Sequence, residues 1–303
     1  MTTLESEARS ARLAEAPWVD SAPKGGALIS GTGQSIRRIL GQRELLGMLV
    51  RRELKARYKD STLGFLWSLL RPLSTLLVYY VAIGKFLGAE RNIPDFAIFL
   101  FCGLIAWQLF QESVSTGTGS IVSNGGLVRK VYLPREVFPL STVGSAIFNY
   151  GTQFVILVAA MLVVGRFPTG SRLLYFPLAL AVLLVFGTAL ALALAAINVY
   201  LRDFQYLVEI VLNILFWASP IVYSWELVRN TIGGGFLETL YLSNPVTLAV
   251  LGMQRAFWVS GTDAPFPDGL PVRLLIALGV GLVLLWLSQR LFARLEGNFA
   301  QEL

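Results

Sequence analysis

The sequence predicts an all-α, polytopic membrane protein, and three observations carry that prediction. Hydrophobic residues make up 55% of the chain against 15% charged, and the mean hydropathy is +0.63, outside the range of ordinary globular chains. Several uninterrupted apolar runs approach or exceed the ~20 residues a helix needs to cross hydrocarbon. Those runs are continuous rather than alternating. That selects helices over a closed barrel, the other architecture that satisfies backbone polar groups in lipid.

Along the chain, residues 1–42 read as a cytoplasmic tail, partly disordered, rich in Ala, Ser, Gly and acidic residues, with no cleavable signal pattern. Residues 43–62 follow as an amphipathic segment. Leu46, Val50, Leu54 and Tyr58 recur every four residues beside Leu45 and Leu49, while Arg51, Arg52, Lys55, Arg57 and Lys59 crowd the remainder. That pattern predicts a helix lying in the interface plane, not crossing it. Six spans are expected from length: Gly64–Leu87, Phe96–Ser115, Val137–Val164, Leu173–Val199, Phe204–Ser224 and Val272–Phe292. Pro72 should kink the first, and Arg71 is placed to snorkel to the headgroups. Residues 63–295 thus form the transmembrane domain, and 296–303 a second cytoplasmic tail.

Basic residues fix the expected orientation. They cluster before the first span, in the loop after the second (Arg129, Lys130, Arg135) and at the C-terminal end (Arg290, Arg294), whereas the loop after the first span offers Arg91 against Glu90 and Asp95. Both termini are therefore expected in the cytoplasm, with an even number of crossings. The segment Phe236–Gly261 is apolar enough to suggest a seventh span. Glu238 and Arg255 would each cost about 2.5–3.5 kcal/mol near the centre of one, and Asn244-Pro245 breaks the helix. A re-entrant pair of short helices is expected there instead.

The absences are informative. There is no histidine and a single cysteine, Cys102, inside an apolar run, which excludes most zinc chemistry, histidine acid–base catalysis and an internal disulfide. The net charge of +6 marks a membrane-facing cytoplasmic side rather than nucleic acid. No G-x-x-x-x-G-K-[ST] loop is present, so ATP is not hydrolysed by that route. No D-x-D or acid cluster suggests a glycosyltransferase. Glu112 and Glu209 read as isolated, which speaks against the proton relay an ion-coupled flippase would use.

The stretch "RRELKARYKDSTLGFLWSLLRPL" (Arg51–Leu73) resembles the signature of ABC-2 type polysaccharide export permeases, the membrane subunits of O-antigen, capsule and teichoic acid exporters. The loop "NGGLVRKVYLPREVFPLST" (Asn124–Thr142), "NVYLRDFQYLVEIVLNILFWASPIVYS" (Asn198–Ser224) and "LSNP" (Leu242–Pro245) extend the resemblance from about Leu45 to Phe292. Within the family the chain looks most like actinobacterial exporters of lipid-linked galactan. The resemblance implies a homodimer working with two copies of a separate ATPase, which would bind the ATP and Mg; no cofactor is implied for this chain. It also implies a coupling helix docking in the ATPase (Leu127, Val128, Arg129, Lys130, Val131, Tyr132, Leu133, Pro134, Arg135) and a second cytoplasmic contact at Arg202 and Asp203. A gate helix would receive the lipid pyrophosphate (Arg51, Arg52, Lys55, Arg57, Tyr58, Lys59, with Arg71).

A sliding glycan needs weak, repeated contacts, which aromatic faces supply. The candidates are Tyr79, Trp107, Phe110, Phe148, Tyr150, Phe216, Trp217 and Tyr223, with Asn149, Gln153 and Asn213 as buried polar residues. An ABC-2 exporter of a drug or small lipid is the nearest alternative.

Overall fold

The computed structural model describes Arg37 and residues 41–58, 66–130 and 133–303, with Arg57, Tyr58 and Ala300 described through the backbone. The first tail, apart from Arg37, Gly41 and Gln42, lies outside the described residues, as do residues 59–65. In chain order the helices are α1 (Arg43–Tyr58), α2 (Leu66–Tyr79), α3 (Phe96–Ser123), α4 (Gly125–Lys130), α5 (Val137–Val164) and α6 (Tyr175–Tyr200). They continue as α7 (Phe204–Trp217), α8 (Trp225–Ile232), α9 (Phe236–Tyr241), α10 (Pro245–Phe257), α11 (Leu270–Leu295) and α12 (Phe299–Glu302). No strand occurs among the described residues.

Five stretches are helical, long and apolar enough to cross a membrane: Leu66–Phe86, Phe96–Ser123, Val137–Val164, Gly170–Tyr200 and Leu270–Asn298. The first combines α2 with a π-helical turn, Tyr80–Phe86. The expected span Phe204–Ser224 departs from its prediction. Its helix, α7, has 14 residues, about 21 Å at 1.5 Å per residue, short of the ~30 Å hydrocarbon core. The cause is Pro220, which lacks an N–H and pushes Ser219 away from helical geometry.

In the irregular segment after α7, Ser219–Val222 are buried and several of their polar groups are bonded. Ser219 Oγ donates to the Leu215 carbonyl, the Ile221 N–H to that of Ser219, and Gln254 Nε2 to that of Pro220 at 2.9 Å. Gly103 permits this close approach, because a Cβ there would stand 3.0 Å from the Ile221 carbonyl oxygen. The segment read as a helical pair does contain two short helices, α9 and α10. Asn244 caps the second by accepting from the Val246 N–H, with Pro245 in its first turn.

The main core forms around α3, which packs against α5, α6 and α10, while α11 lies against α6. Small residues set these distances, as they do where lipid removes the hydrophobic drive between helices. A Cβ at Gly117 would come within 2.5 Å of the Ala191 Cβ, so α3 and α6 touch backbone to backbone there. Far from α1, Tyr150, Phe154, Phe176 and Phe257 knit α5, α6 and α10 together, with ring centroids 5.0–5.9 Å apart.

A second, smaller core gathers at the α1 end. Leu49 of α1, Val128 of α4, Val137 and Phe138 of α5, Val199 of α6 and Phe292 and Phe299 near the C-terminus are buried together. Phe299 meets Phe292 edge-on at 5.4 Å, and the Arg135 guanidinium lies over its ring.

Candidate functional site

Between α2, α3, α5 and α7 lies a cavity of about 640 Å³. Helical spacing builds its walls: Arg71, Thr75 and Tyr79 on α2, Gln108, Gln111, Glu112 and Ser115 on α3, and Glu209, Asn213 and Phe216 on α7 recur at three- and four-residue steps. Gln153 of α5 closes it. Trp107 Nε1 donates to Gln111 Oε1 at 2.8 Å, and Asn149 Nδ2 to Glu112 Oε1 at 2.7 Å. The Oε1 of Gln153 and the Oδ1 of Asn149 are buried with no donor among the described residues. Two carboxylates, the side-chain amides of Gln108, Gln111, Gln153 and Asn213, and the Arg71 guanidinium give the wall a mixture of acceptors and donors, which can hydrogen-bond a polyhydroxylated ligand.

The aromatic candidates divide. Tyr79, Trp107 and Phe216 share the cavity wall, with Phe216 centroids 5.7 Å from Tyr79 and 5.5 Å from Trp107. Phe110, Phe148, Tyr150, Trp217 and Tyr223 do not line it. Phe110 is buried beside Trp107, and Tyr150 belongs to the distant ring cluster. Phe148 and Trp217 are on the outer surface, and Tyr223 donates to the Trp217 carbonyl. Glu112 and Glu209, isolated in sequence, face one cavity. Their helical register with Gln108 and with Asn213 and Phe216 was the available signal. Arg71, expected at the headgroups, is on the same cavity wall.

At the α1 end, Arg51, Arg52 and Lys55 line an open groove of about 590 Å³ with Met48 and Ala56. The side chains of Arg57 and Tyr58 and all of Lys59 lie outside the described residues. Residues that the sequence did not single out hold α1 in place. The Glu53 carboxylate accepts from Ser141 Oγ at 2.7 Å and Ser145 Oγ at 3.2 Å. Val50 fits against Gly144, where a Cβ would lie 2.8 Å from Val50 Cγ2. Ser141 and Ser145, one helical turn apart on α5, were the readable hint.

Arg52 Nη2 donates to Asn124 Oδ1, and the Asn124 carbonyl accepts from the Leu127 and Val128 amides that start α4. Within α4 Val128 is buried in the chain's own core and Leu127 packs against it, leaving Arg129 and Lys130 exposed. Val131 and Tyr132 lie outside the described residues; Leu133 and Pro134 follow in irregular structure. Leu303 packs against Gly125, 3.6 Å from where its Cβ would be. Arg202 and Asp203 are exposed between α6 and α7 and form no ion pair among the described residues.

A bundle of spanning helices around a polar cavity, with short amphipathic helices seated on one end, defines a multi-pass membrane protein of the transporter class. Residues 44–258 match the family described as ABC-2 type transporter, and the chain belongs to that family. It is 34% identical over 268 residues to the O-antigen export system permease protein RfbA of Myxococcus xanthus, covering 88% of this chain and 98% of the relative. The RfbA permease of Klebsiella pneumoniae is 26% identical over 85% of the chain and 94% of its own length. The polysialic acid transport protein KpsM of Escherichia coli is 25% identical over 70% of the chain and 88% of the relative.

Proposed function

We propose that this chain is the permease subunit of an ABC exporter, moving an uncharged, lipid-linked polysaccharide across the cytoplasmic membrane under power from a separate ATPase. The observation that carries the reading is the cavity, lined by four aromatic rings (Tyr79, Phe101, Trp107 and Phe216) together with two carboxylates and four side-chain amides, in a chain 34% identical to an O-antigen export permease. Rings stack weakly on sugar faces and acceptors take sugar hydroxyls, so a glycan is held and still slides.

Two copies of the chain pair with two ATPase subunits, which hold the ATP and Mg. α4 docks in the ATPase through exposed Arg129 and Lys130, and Arg202 and Asp203 make the second contact. The Arg52–Asn124 bond and the shared small core support a linked motion, in which displacement of α4 carries α1 with it. α1 receives the pyrophosphate of the lipid through Arg51, Arg52 and Lys55, cations suited to phosphate oxygens. α7 with its irregular continuation completes a sixth crossing, α9 and α10 dip into the outer leaflet, and both termini face the cytoplasm. Among lipid-linked polymers a galactan fits the resemblance best.

The test is reconstitution with a partner P-loop ATPase. ATP-dependent uptake of lipid-linked polymer into inverted vesicles is the expected result. A chain that transports without any ATPase, or never binds one, overturns the reading. Cysteine labelling checks orientation, since Cys102 is buried: Gln301→Cys should react with an impermeant maleimide only from inside, and Ser171→Cys from outside.

A further inference from the structure

Residues 296–303 read from sequence as a plain tail, yet they pack onto the bundle at the α1 end. A 3-10 turn, Glu296–Asn298, carries the chain from α11 into α12. Phe299, at the start of α12, is fully buried. Its ring meets that of Tyr200, the last residue of α6, edge-on at 6.2 Å, and the Arg135 guanidinium lies 5.8 Å from its centre. Tyr200 Oη also donates to the Leu295 carbonyl at 2.8 Å.

The same segment reaches α4. The Leu303 N–H donates to the Phe299 carbonyl at 3.1 Å, and the Leu303 side chain lies against Gly125. A Cβ at Gly125 would stand 3.8 Å from the Leu303 Cβ. Gly125 opens α4, whose Arg129 and Lys130, followed by Arg135, belong to one proposed ATPase contact. Arg202 and Asp203, the other, follow directly after Tyr200 and Leu201. Residues 296–303 therefore touch both contacts, although the two are far apart in sequence. Two loops hung separately from a bundle would each answer a push with their own freedom. A close-packed segment shared between them transmits displacement from one to the other.

We infer that residues 296–303 brace the two ATPase contacts into a single docking surface, so that a stroke delivered at α4 also reaches the α6–α7 turn. Phe299 and Leu303 are its positioning residues. The inference rests on the export reading, which assigns both contacts to the ATPase.

The first experiment needs no partner. In the full chain carrying Gly125→Cys and Leu303→Cys, the Cβ atoms fall at the usual disulfide spacing of about 3.8 Å. Mild oxidation in nanodiscs should join them within one chain, read as loss of maleimide labelling at monomer mass. Gly126→Cys with Leu303→Cys should stay reduced, since nothing lies within 4 Å of the Gly126 position. The native Cys102 is buried and does not compete.

The second experiment is export into vesicles with the partner ATPase, scored as polymer moved per ATP hydrolysed. The oxidised Gly125→Cys/Leu303→Cys chain should export as well as its reduced form, because the brace travels with α4. Leu303 is half-buried, so Leu303→Asp should spare folding. It should leave bound ATPase and the KM for ATP unchanged while lowering polymer per ATP about threefold. Leu303→Met should restore the parent ratio.

A cysteine pair that stays reduced, or export that stops on oxidation, overturns the inference. So does a Leu303→Asp chain that loses the ATPase, or one that keeps it and moves the parent amount of polymer per ATP. The two readings fail separately. A parent chain that exports, with Leu303→Asp at the same ratio, sinks the brace alone. A parent that exports nothing with any ATPase sinks the export reading, and the role of the brace with it.

Discussion

α2 and α3 are both apolar enough to cross a membrane, yet in their most apolar stretches 78% of α3 is buried and only 6% of α2. Hydropathy does not separate them; small residues do. α3 carries Gly103 and Gly117, which bring Ile221 and Ala191 to backbone distance. α2 and its π-helical turn present Leu77, Val78 and Phe86 to the outside instead. α7 behaves like α2, with Ile210, Ile214 and Trp217 exposed, and these two bare helices flank the cavity. The anchored half is built for rigidity. α2 and α7 keep apolar faces that the chain itself does not cover.

That contrast breaks if the two helices respond alike to substitution. Gly117→Leu should be the most damaging change, costing about 3 kcal/mol or more through overpacking against Ala191 and abolishing monodisperse protein on gel filtration. Leu77→Ala on α2 should leave the yield unchanged. Equal losses would mean that α2 is packed by its own chain.

A smaller effect is expected at the α1 end. Glu53→Ala removes the acceptor of two serine hydroxyls, costing about 1–3 kcal/mol, and should free α1 without melting the main core. Tryptic cleavage at Arg51, Arg52 and Lys55 would then rise several-fold at an unchanged unfolding midpoint. A lowered midpoint would join the two cores into one unit.

The cavity supplies a finer comparison. Phe216→Ala should slow glycan transport about fivefold, the scale of one aromatic contact of about 1 kcal/mol. Phe148→Ala, 46% exposed on the outer surface, should not slow transport measurably.

The smallest effect is expected at Glu90. Hydrogen bonding from Lys85 holds its carboxyl below the ordinary carboxylate value. The pair's contribution is therefore present at neutral pH and lost as pH falls through that lowered value. Because the pair is largely solvent-exposed and screened, Glu90→Gln should lower the midpoint at pH 7 only slightly, and that small difference should vanish in acid.

The sequence by itself determined the class, the start of most spans, the amphipathic α1 and the Asn244-Pro245 break, because length, apolar continuity and proline chemistry act on neighbouring residues. The short α7 reads from sequence as a full span, although Pro220 limits it locally. Only the tertiary structure decided which aromatic rings meet, that Glu112 and Glu209 share a cavity, that Glu53 pins α1, and that residues 296–303 link α4 to Tyr200. Each of these depends on the rotation and crossing of helices tens of residues apart. Close contacts of single glycines with Ile221 and Ala191 set that geometry, and no local periodicity encodes them.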